Sequence, residues 1–83
     1  MDASLLIERF GRQIQAMRKA RGQTLIELAA DAGITRQKLS EIEKGRSTVS
    51  IQLYAKVLAA LNAEINIVPA RRPVFEELHE VFR

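Results

Sequence analysis

Residues 23 to 45 hold two short helical patterns with a glycine between them, and this spacing constrains the fold more than any other feature of the chain. Thr24 precedes Glu27 by three residues, which is the spacing of a capping box at the start of a helix. A helix over residues 25–32 is therefore predicted. Gly33 follows it and can adopt the positive φ that a tight turn needs.

The second helical pattern begins directly after that turn. Thr35 caps a predicted helix over residues 36–43, and Gly45 ends it. The second helix opens with three side chains that can bond to base edges, namely Arg36, Gln37 and Lys38. Arginine and lysine can donate to guanine O6 and N7, and glutamine pairs with the N6 and N7 edge of adenine. This is the layout of a helix-turn-helix, whose second helix enters the major groove of DNA.

Amphipathic helices flank the pair on both sides. Apolar residues at helical spacing predict a first helix over 4–20 and a fourth helix that Ser50 caps, ending at residue 61. The apolar stripe of the first comprises Leu5, Leu6, Phe10, Ile14 and Met17, and that of the fourth comprises Ile51, Tyr54, Val57, Leu58 and Leu61. Pro73 can begin a fifth helix in the C-terminal tail.

A strand pattern follows the fourth helix. Apolar and polar residues alternate with a period of two over Glu64, Ile65, Asn66, Ile67 and Val68. A lone strand has no hydrogen-bonding partner within the chain. An antiparallel copy of itself across a two-fold axis would satisfy its edge, so the segment is predicted to be a dimerisation strand.

Length and charge narrow the class of protein. At 83 residues this is one small domain, without cysteines and without an apolar run of the roughly 18 residues that a membrane span needs. A cytoplasmic location is the expectation, and no membrane partner is expected. Residues 9–56 carry ten basic and four acidic side chains, a net +6, whereas residues 73–83 carry a net −2. A basic body with an acidic tail favours a polyanionic partner for the body.

The motif resembles the phage-repressor-like (Cro/repressor, XRE) helix-turn-helix family. The matching residues are Thr24, Glu27-Leu28-Ala29, Ala32-Gly33-Ile34, Thr35-Arg36, Leu39-Ser40 and Ile42-Glu43-Lys44-Gly45. The fourth helix and the strand after it are similar to those of HipB-type antitoxins, in which such strands pair in a homodimer. The resemblance implies a mostly α fold, a four- to five-helix repressor-like domain with one C-terminal strand that pairs across a homodimer.

Roles for individual residues follow from the resemblance and from side-chain chemistry. Base reading is expected of Thr35, Arg36, Gln37, Lys38 and Glu41. Contact with DNA phosphates is expected of Arg12, Thr24, Ser40, Lys44, Arg46, Ser47 and Thr48. The family match also implies a buried ion pair between Arg18 and Glu43, so Arg18 has a structural role.

Two positions depart from the family pattern. The family usually has glutamine at the position of Leu25, where it contacts phosphate and braces the second motif helix. In this chain that contact is absent, or is made by Thr24 and backbone amides. Glu41 is the other departure, because many members of the family have a basic or neutral polar residue at this position. A carboxylate near DNA repels phosphate unless it accepts from cytosine N4.

The tail leaves two alternatives open. Its apolar stripe, Val74, Phe75, Leu78 and Phe82, lies opposite acidic residues. It docks on its own domain, or it binds a protein partner as an amphipathic helix in a groove. The resulting domain division is 1–62 for the helix-turn-helix domain, 63–69 for the strand and 70–83 for the tail.

The leading functional prediction is a dimeric transcriptional repressor that binds an inverted repeat in double-stranded DNA. Within it, the resemblance favours an antitoxin that represses its own operon and binds a HipA-like kinase toxin. A stand-alone phage-type or metabolic repressor is the alternative, and a toxin-neutralising module without DNA binding is a further one. No catalytic residue, cofactor or metal site is expected, because the sequence shows no plausible catalytic set and no phosphate-binding glycine loop.

Overall fold

Four helices form within the residues that the computed structural model describes, 2–46 and 49–70. They are α1 (Ala3–Ala20), α2 (Leu25–Ala32), α3 (Arg36–Glu43) and α4 (Ile51–Ala60). The sequence predicted the bounds of α2 and α3 correctly and missed one end of α1 and of α4 by a single residue. The mostly helical fold class is confirmed.

Side-chain caps fix where the two motif helices begin. Thr24 Oγ1 accepts a hydrogen bond from the backbone N–H of Glu27 at 3.2 Å, and the Glu27 carboxylate accepts from the N–H of Thr24 at 2.9 Å. Thr35 Oγ1 accepts from the N–H of Lys38 at 3.0 Å. These predicted caps are confirmed. Ser50 occupies the N-cap position of α4, but its side chain makes no capping hydrogen bond.

The core lies where α2 packs on both α3 and α4, while α1 packs on α3. Its most deeply buried side chains are Ile14, Leu28, Leu39, Ile42 and Val57. Each side chain of this size contributes about 1.5–3 kcal/mol when fully buried. The rings of Phe10 and Tyr54 stack with centroids 5.2 Å apart and join α1 to α4. Tyr54 is a core residue, as predicted, and burial raises the pKa of its hydroxyl.

Two glycines are required by the geometry. Gly33 has φ of +72° and turns the chain between α2 and α3. Gly11 lies at the crossing of α1 and α3. A Cβ at this position would collide with the backbone oxygen of Ile42 and would lie 2.9 Å from that of Glu43. The absence of a side chain at Gly11 therefore lets α1 approach the backbone at the end of α3.

A buried ion pair joins the same two helices. Arg18 Nε donates to Glu43 Oε2 at 2.7 Å, and Arg18 Nη2 donates to Oε1 of the same carboxylate at 3.0 Å. The third arm, Nη1, donates to the backbone oxygen of Gln23 at 2.8 Å. Arg18 is 8% exposed and Glu43 is 7% exposed. The hydrogen bonds to Glu43 raise the pKa of Arg18 above its ordinary value.

The predicted apolar stripes are wider than the faces that are buried. Leu5, Leu6 and Met17 of α1 are exposed, and Ile51 at the start of α4 is 68% exposed. Leu5 and Leu6 precede the crossing at Gly11 by more than one turn, so the first turn of α1 extends past the contact. Met17 and Ile51 are also left open to solvent by the rest of the described chain.

The predicted strand is not present as regular structure in the described part of this single chain. After α4, Asn62 has φ of +57° and residues 63–70 follow without helix or strand. Ile67 is 91% exposed, and Ile65 and Val68 are 49% and 63% exposed. A strand is defined by hydrogen bonds to a neighbouring strand, and one copy of the segment has no such neighbour.

Several sequence predictions fall outside the described residues. They are the phosphate contacts by Ser47 and Thr48, the fifth helix, and the tail stripe of Val74, Phe75, Leu78 and Phe82. The domain boundaries after residues 62 and 69 also remain predictions.

The ion pair gives a test of what holds α3 in place. Arg18→Met should lower the free energy of unfolding by about 3–5 kcal/mol, because it leaves the Glu43 carboxylate buried without its partner. Arg12→Met is the matched control, since Arg12 pairs with Glu8 at 4.0 Å on the surface and such pairs contribute about 0–1 kcal/mol. Urea denaturation followed by circular dichroism measures both.

A double variant, Arg18→Met with Glu43→Leu, removes both charges and should recover much of that loss. This variant also keeps the test informative if the single Arg18 variant does not fold. Equal stabilities of the Arg18→Met and Arg12→Met variants would contradict a structural role for the buried pair.

Candidate nucleic-acid interface

The two faces of α3 differ sharply in polarity and in burial. Its inner face is fixed to the domain by the buried side chains of Leu39 and Ile42 and by the ion pair of Glu43. The side chains at its N-terminal end are exposed, and these are Thr35, Arg36, Gln37 and Lys38. The buried face thus fixes α3 to the rest of the domain, while the predicted base-reading residues at its N-terminal end are exposed to solvent.

A shallow open hollow lies on the outer side of α3. Gln37, Ser40, Glu41, Lys44 and Arg46 line it. Ser40 and Glu41 follow Gln37 by three and four residues, and Lys44 follows them by four and three, so these four side chains share one side of the helix. The hollow therefore brings together two of the residues predicted to read bases and three of those predicted to contact phosphate.

The electrostatics of this surface are positive. Between residues 36 and 46 there are four cationic side chains, and of the two carboxylates there, Glu43 is already neutralised by Arg18. Glu41 is the carboxylate left on the outer side. It lies 3.5 Å from Lys38, between Oε1 and Nζ. Sequence reasoning missed this ion pair, although opposite charges three residues apart on a helix are its ordinary signal.

The start of α2 is less polar than the family pattern. Leu25 is half-buried and packs against the core, so its side chain replaces a polar contact with an apolar one. Ile26 is 65% exposed beside it. Thr24 is exposed, and its hydroxyl accepts from the amide of Glu27 while keeping its own hydrogen to donate. A phosphate approaching this helix end would meet Thr24, the first free backbone amides and the nearby Glu27 carboxylate.

Two arginines, Arg12 in α1 and Arg21 directly after it, have different surroundings. Arg12 is exposed, pairs loosely with Glu8, and lies outside the hollow. Arg21 was counted only as part of the basic body, but its Nη1 donates to the backbone oxygen of Leu61 at 3.0 Å. This contact spans forty residues of sequence, and no local pattern predicts it. Arg21 thus ties the end of α1 to the end of α4.

Other kinds of site find no support in residues 2–46 and 49–70. No group of three or more histidine, cysteine, aspartate or glutamate side chains there is placed to hold a metal ion. Over the same ranges, no helix has both the length and the apolar character needed to cross a membrane.

The fold agrees with the comparison to protein families. The chain belongs to the helix-turn-helix domain family, whose model matches residues 9–66. The match covers all of α2, α3 and α4 and most of α1. It confirms the helix-turn-helix reading of the sequence.

Individual relatives and structures are similar to the same region. The chain is 37% identical over 71 residues to the HTH-type transcriptional regulator SinR of Bacillus subtilis, covering 84% of this chain and 59% of that protein. The crystal structure of the clp gene regulator ClgR from C. glutamicum is 41% identical, with a TM-score of 0.64 over 71% of this chain and 77% of that one.

A structure described as a HipA-HipB-O2-O3 complex is similar in fold. It has a TM-score of 0.70 at 20% identity and covers 77% of this chain and 90% of the matched chain. The curated relatives are longer proteins: the chain spans about half the length of three of them, between 46% and 59%. These relatives are named as transcriptional regulators and a phage immunity repressor.

Proposed function

We propose that this chain is a sequence-specific DNA-binding transcriptional repressor that acts as a homodimer and has no catalytic activity. The observation that carries the proposal is the asymmetry of α3. Its inner face is fixed by Leu39, Ile42 and the Glu43–Arg18 ion pair. Its outer face exposes cationic side chains and the side-chain amide of Gln37 to solvent. A rigid helix with such a face fits the major groove of B-DNA.

The base-reading role belongs to the N-terminal part and the outer side of α3. Arg36 and Lys38 can donate to guanine, and Gln37 can pair with adenine in a bidentate manner. Thr35 keeps a hydroxyl hydrogen to donate after capping the helix. Glu41 can accept from cytosine N4.

Phosphate contacts flank that region. Lys44 and Arg46 are exposed on the turn after α3, and Ser40 lines the hollow between them and Gln37. Arg12 and Thr24 are exposed on the neighbouring elements and complete the proposed set within the described residues. Ser47 and Thr48 extend it on sequence grounds alone. Such contacts set register and affinity and do not themselves read sequence.

The homodimer is proposed to form through residues 64–68. Three apolar side chains of this short segment are largely exposed in the single chain, and the backbone has no ladder partner in the described residues. Antiparallel pairing of two copies would satisfy both the apolar surface and the backbone groups. A two-fold dimer would then bind an inverted repeat whose half-sites lie about one helical turn, roughly 34–36 Å, apart.

A narrower role as an antitoxin is also proposed. The fourth helix and the segment after it resemble HipB-type antitoxins, and the structure described as a HipA-HipB-O2-O3 complex shares the fold. At 20% identity that similarity concerns the fold alone, so the partner assignment depends on the sequence resemblance. The partner would be a HipA-like kinase, bound through the acidic amphipathic tail.

Substitutions on α3 and after it test the DNA-binding proposal. Gln37→Ala should cost about 1–3 kcal/mol at a selected operator and relax base preference, because a bidentate contact is lost. Arg46→Ala should weaken all duplexes alike and reduce the salt slope by about 1, because one phosphate contact is lost. An operator is first selected from random duplexes. Fluorescence anisotropy titrations with this operator and with other duplexes then measure both effects. Lys19→Ala, an exposed cation outside the proposed contacts, is the control, and equal losses for all three variants would contradict base reading by α3.

The dimer proposal is tested by a proline in the segment. Ile67→Pro removes a backbone donor and should disrupt strand pairing, while the 91% exposure of Ile67 means that the monomer core is untouched. Analytical ultracentrifugation at micromolar concentration should show about 9.3 kDa for this variant and twice that for the parent. Ala70→Pro, just past the segment, is the control and should stay dimeric. A dimeric Ile67→Pro variant would place the interface elsewhere.

Deletion of the tail tests the antitoxin role. Removal of residues 72–83 should leave operator affinity nearly unchanged and abolish co-purification with a HipA-like kinase expressed from a neighbouring gene. We expect this loss of binding because of the apolar stripe, since an amphipathic helix that binds in a groove is a common mode of protein recognition. If the deletion instead lowers the melting temperature by several degrees and weakens dimerisation, the tail belongs to the domain itself.

A further inference from the structure

The ion pair between Lys38 and Glu41 lies on the surface proposed to face DNA. Lys38 Nζ is 3.5 Å from Glu41 Oε1, and the two residues are three positions apart on α3. Their side chains are 45% and 27% exposed. The pair therefore forms within one helix of the free protein and needs no ligand to assemble it.

Two further cationic residues line the same hollow as Glu41. Its side chain lines the hollow together with Lys44 and Arg46. Its backbone oxygen accepts a hydrogen bond from the N–H of Arg46 at 3.0 Å, which fixes the turn after α3 beside it. One carboxylate thus sits among the positive charges that would otherwise all be available to phosphate.

Two general properties of charge decide what such a carboxylate does. Binding to DNA without regard to sequence comes almost entirely from cations that neutralise phosphates. An internal carboxylate that engages one of these cations lowers this binding. Partly exposed ion pairs are weak, so a better partner displaces them easily. In the major groove, the partner that a carboxylate accepts from is the N4 amino group of cytosine.

We infer that Glu41 is a specificity-determining residue that acts as an internal counter-ion for Lys38. On non-cognate DNA the carboxylate competes with phosphate for Lys38 and repels the DNA backbone, and both effects lower affinity. At a cognate site a cytosine N4 amino group replaces Lys38 as the partner of Glu41, and Lys38 is released to a guanine or a phosphate. Glu41 therefore increases the ratio of specific to non-specific binding. The inference rests on the proposed DNA-binding function.

The test compares Glu41→Gln with a charge-matched control. Asp31→Asn changes the net charge equally, lies on α2 outside the hollow, and keeps an oxygen for its hydrogen bond from Gln23. Each variant is titrated by fluorescence anisotropy against the operator selected by the parent protein and against a duplex of shuffled sequence. The titrations are repeated between about 50 and 200 mM salt, where one additional phosphate contact adds roughly a threefold loss of affinity.

Glu41→Gln should bind the shuffled duplex several-fold more tightly at low salt than the parent does, with a steeper salt slope by about 0.9. Its affinity for the operator should rise less or should fall, and selection from random duplexes should lose a preference for cytosine at one position of each half-site. Asp31→Asn should show a smaller change that is equal on both duplexes. Equal behaviour of the two variants would overturn the inference.

A second pair of variants tests whether Glu41 acts through Lys38. In a Lys38→Gln background, adding Glu41→Gln should change binding to the shuffled duplex much less than it does in the parent. An undiminished effect would show that Glu41 acts by its charge alone and would overturn the counter-ion role. A parent protein that binds no duplex at any salt concentration would instead refute the proposed function itself, so the two failures are distinguishable.

Discussion

The position of α3 depends on a buried charge pair and a close backbone crossing that act at the same place. Arg18 uses all three arms of its guanidinium, two on the Glu43 carboxylate and one on a backbone oxygen. Gly11, two turns earlier on α1, lets the helices approach so closely that a methyl group would not fit. Because Glu43 is the last residue of α3, the ion pair fixes the C-terminal end of this helix. The turn at Gly33 directs the chain from α2 into its N-terminal end. Everything proposed for the outer face relies on this fixed orientation.

The parts of the fold that the sequence predicts are those with local causes. Capping side chains at Thr24 and Thr35 and glycines with positive φ mark the helix ends, because their hydrogen bonds form between residues three or four apart. Contacts that close over long separations have no such local mark. The Arg21 contact with the Leu61 oxygen and the burial of Gly11 were therefore missed. The exposure of Leu6 and Ile51 was also missed, since periodicity shows which face is apolar but does not show how much of it a neighbour covers.

The candidate site was predictable in its residues but less so in its internal contacts. The exposed residues at the start of α3 follow from the motif, and the structure brings Gln37 and Glu41 into one hollow with Lys44. The ion pair between Lys38 and Glu41 changes how those charges are interpreted, because the charge of Lys38 is already partly neutralised in the free protein. Leu25 shows the opposite case. A departure from the family pattern, recognised in the sequence, becomes intelligible only when the side chain is found packed against the core.

The hydrogen bond from Arg21 to Leu61 lies at the point where the chain leaves the helical domain. It joins the C-terminal end of α4 to the C-terminal end of α1, and the backbone then turns at Asn62 toward residues 63–70. In a dimer joined through that segment, the angle of departure determines how far apart and at what relative rotation the two copies of α3 are held. The Arg21 guanidinium would thus influence, through this angle, the number of base pairs between the two half-sites that the dimer can span.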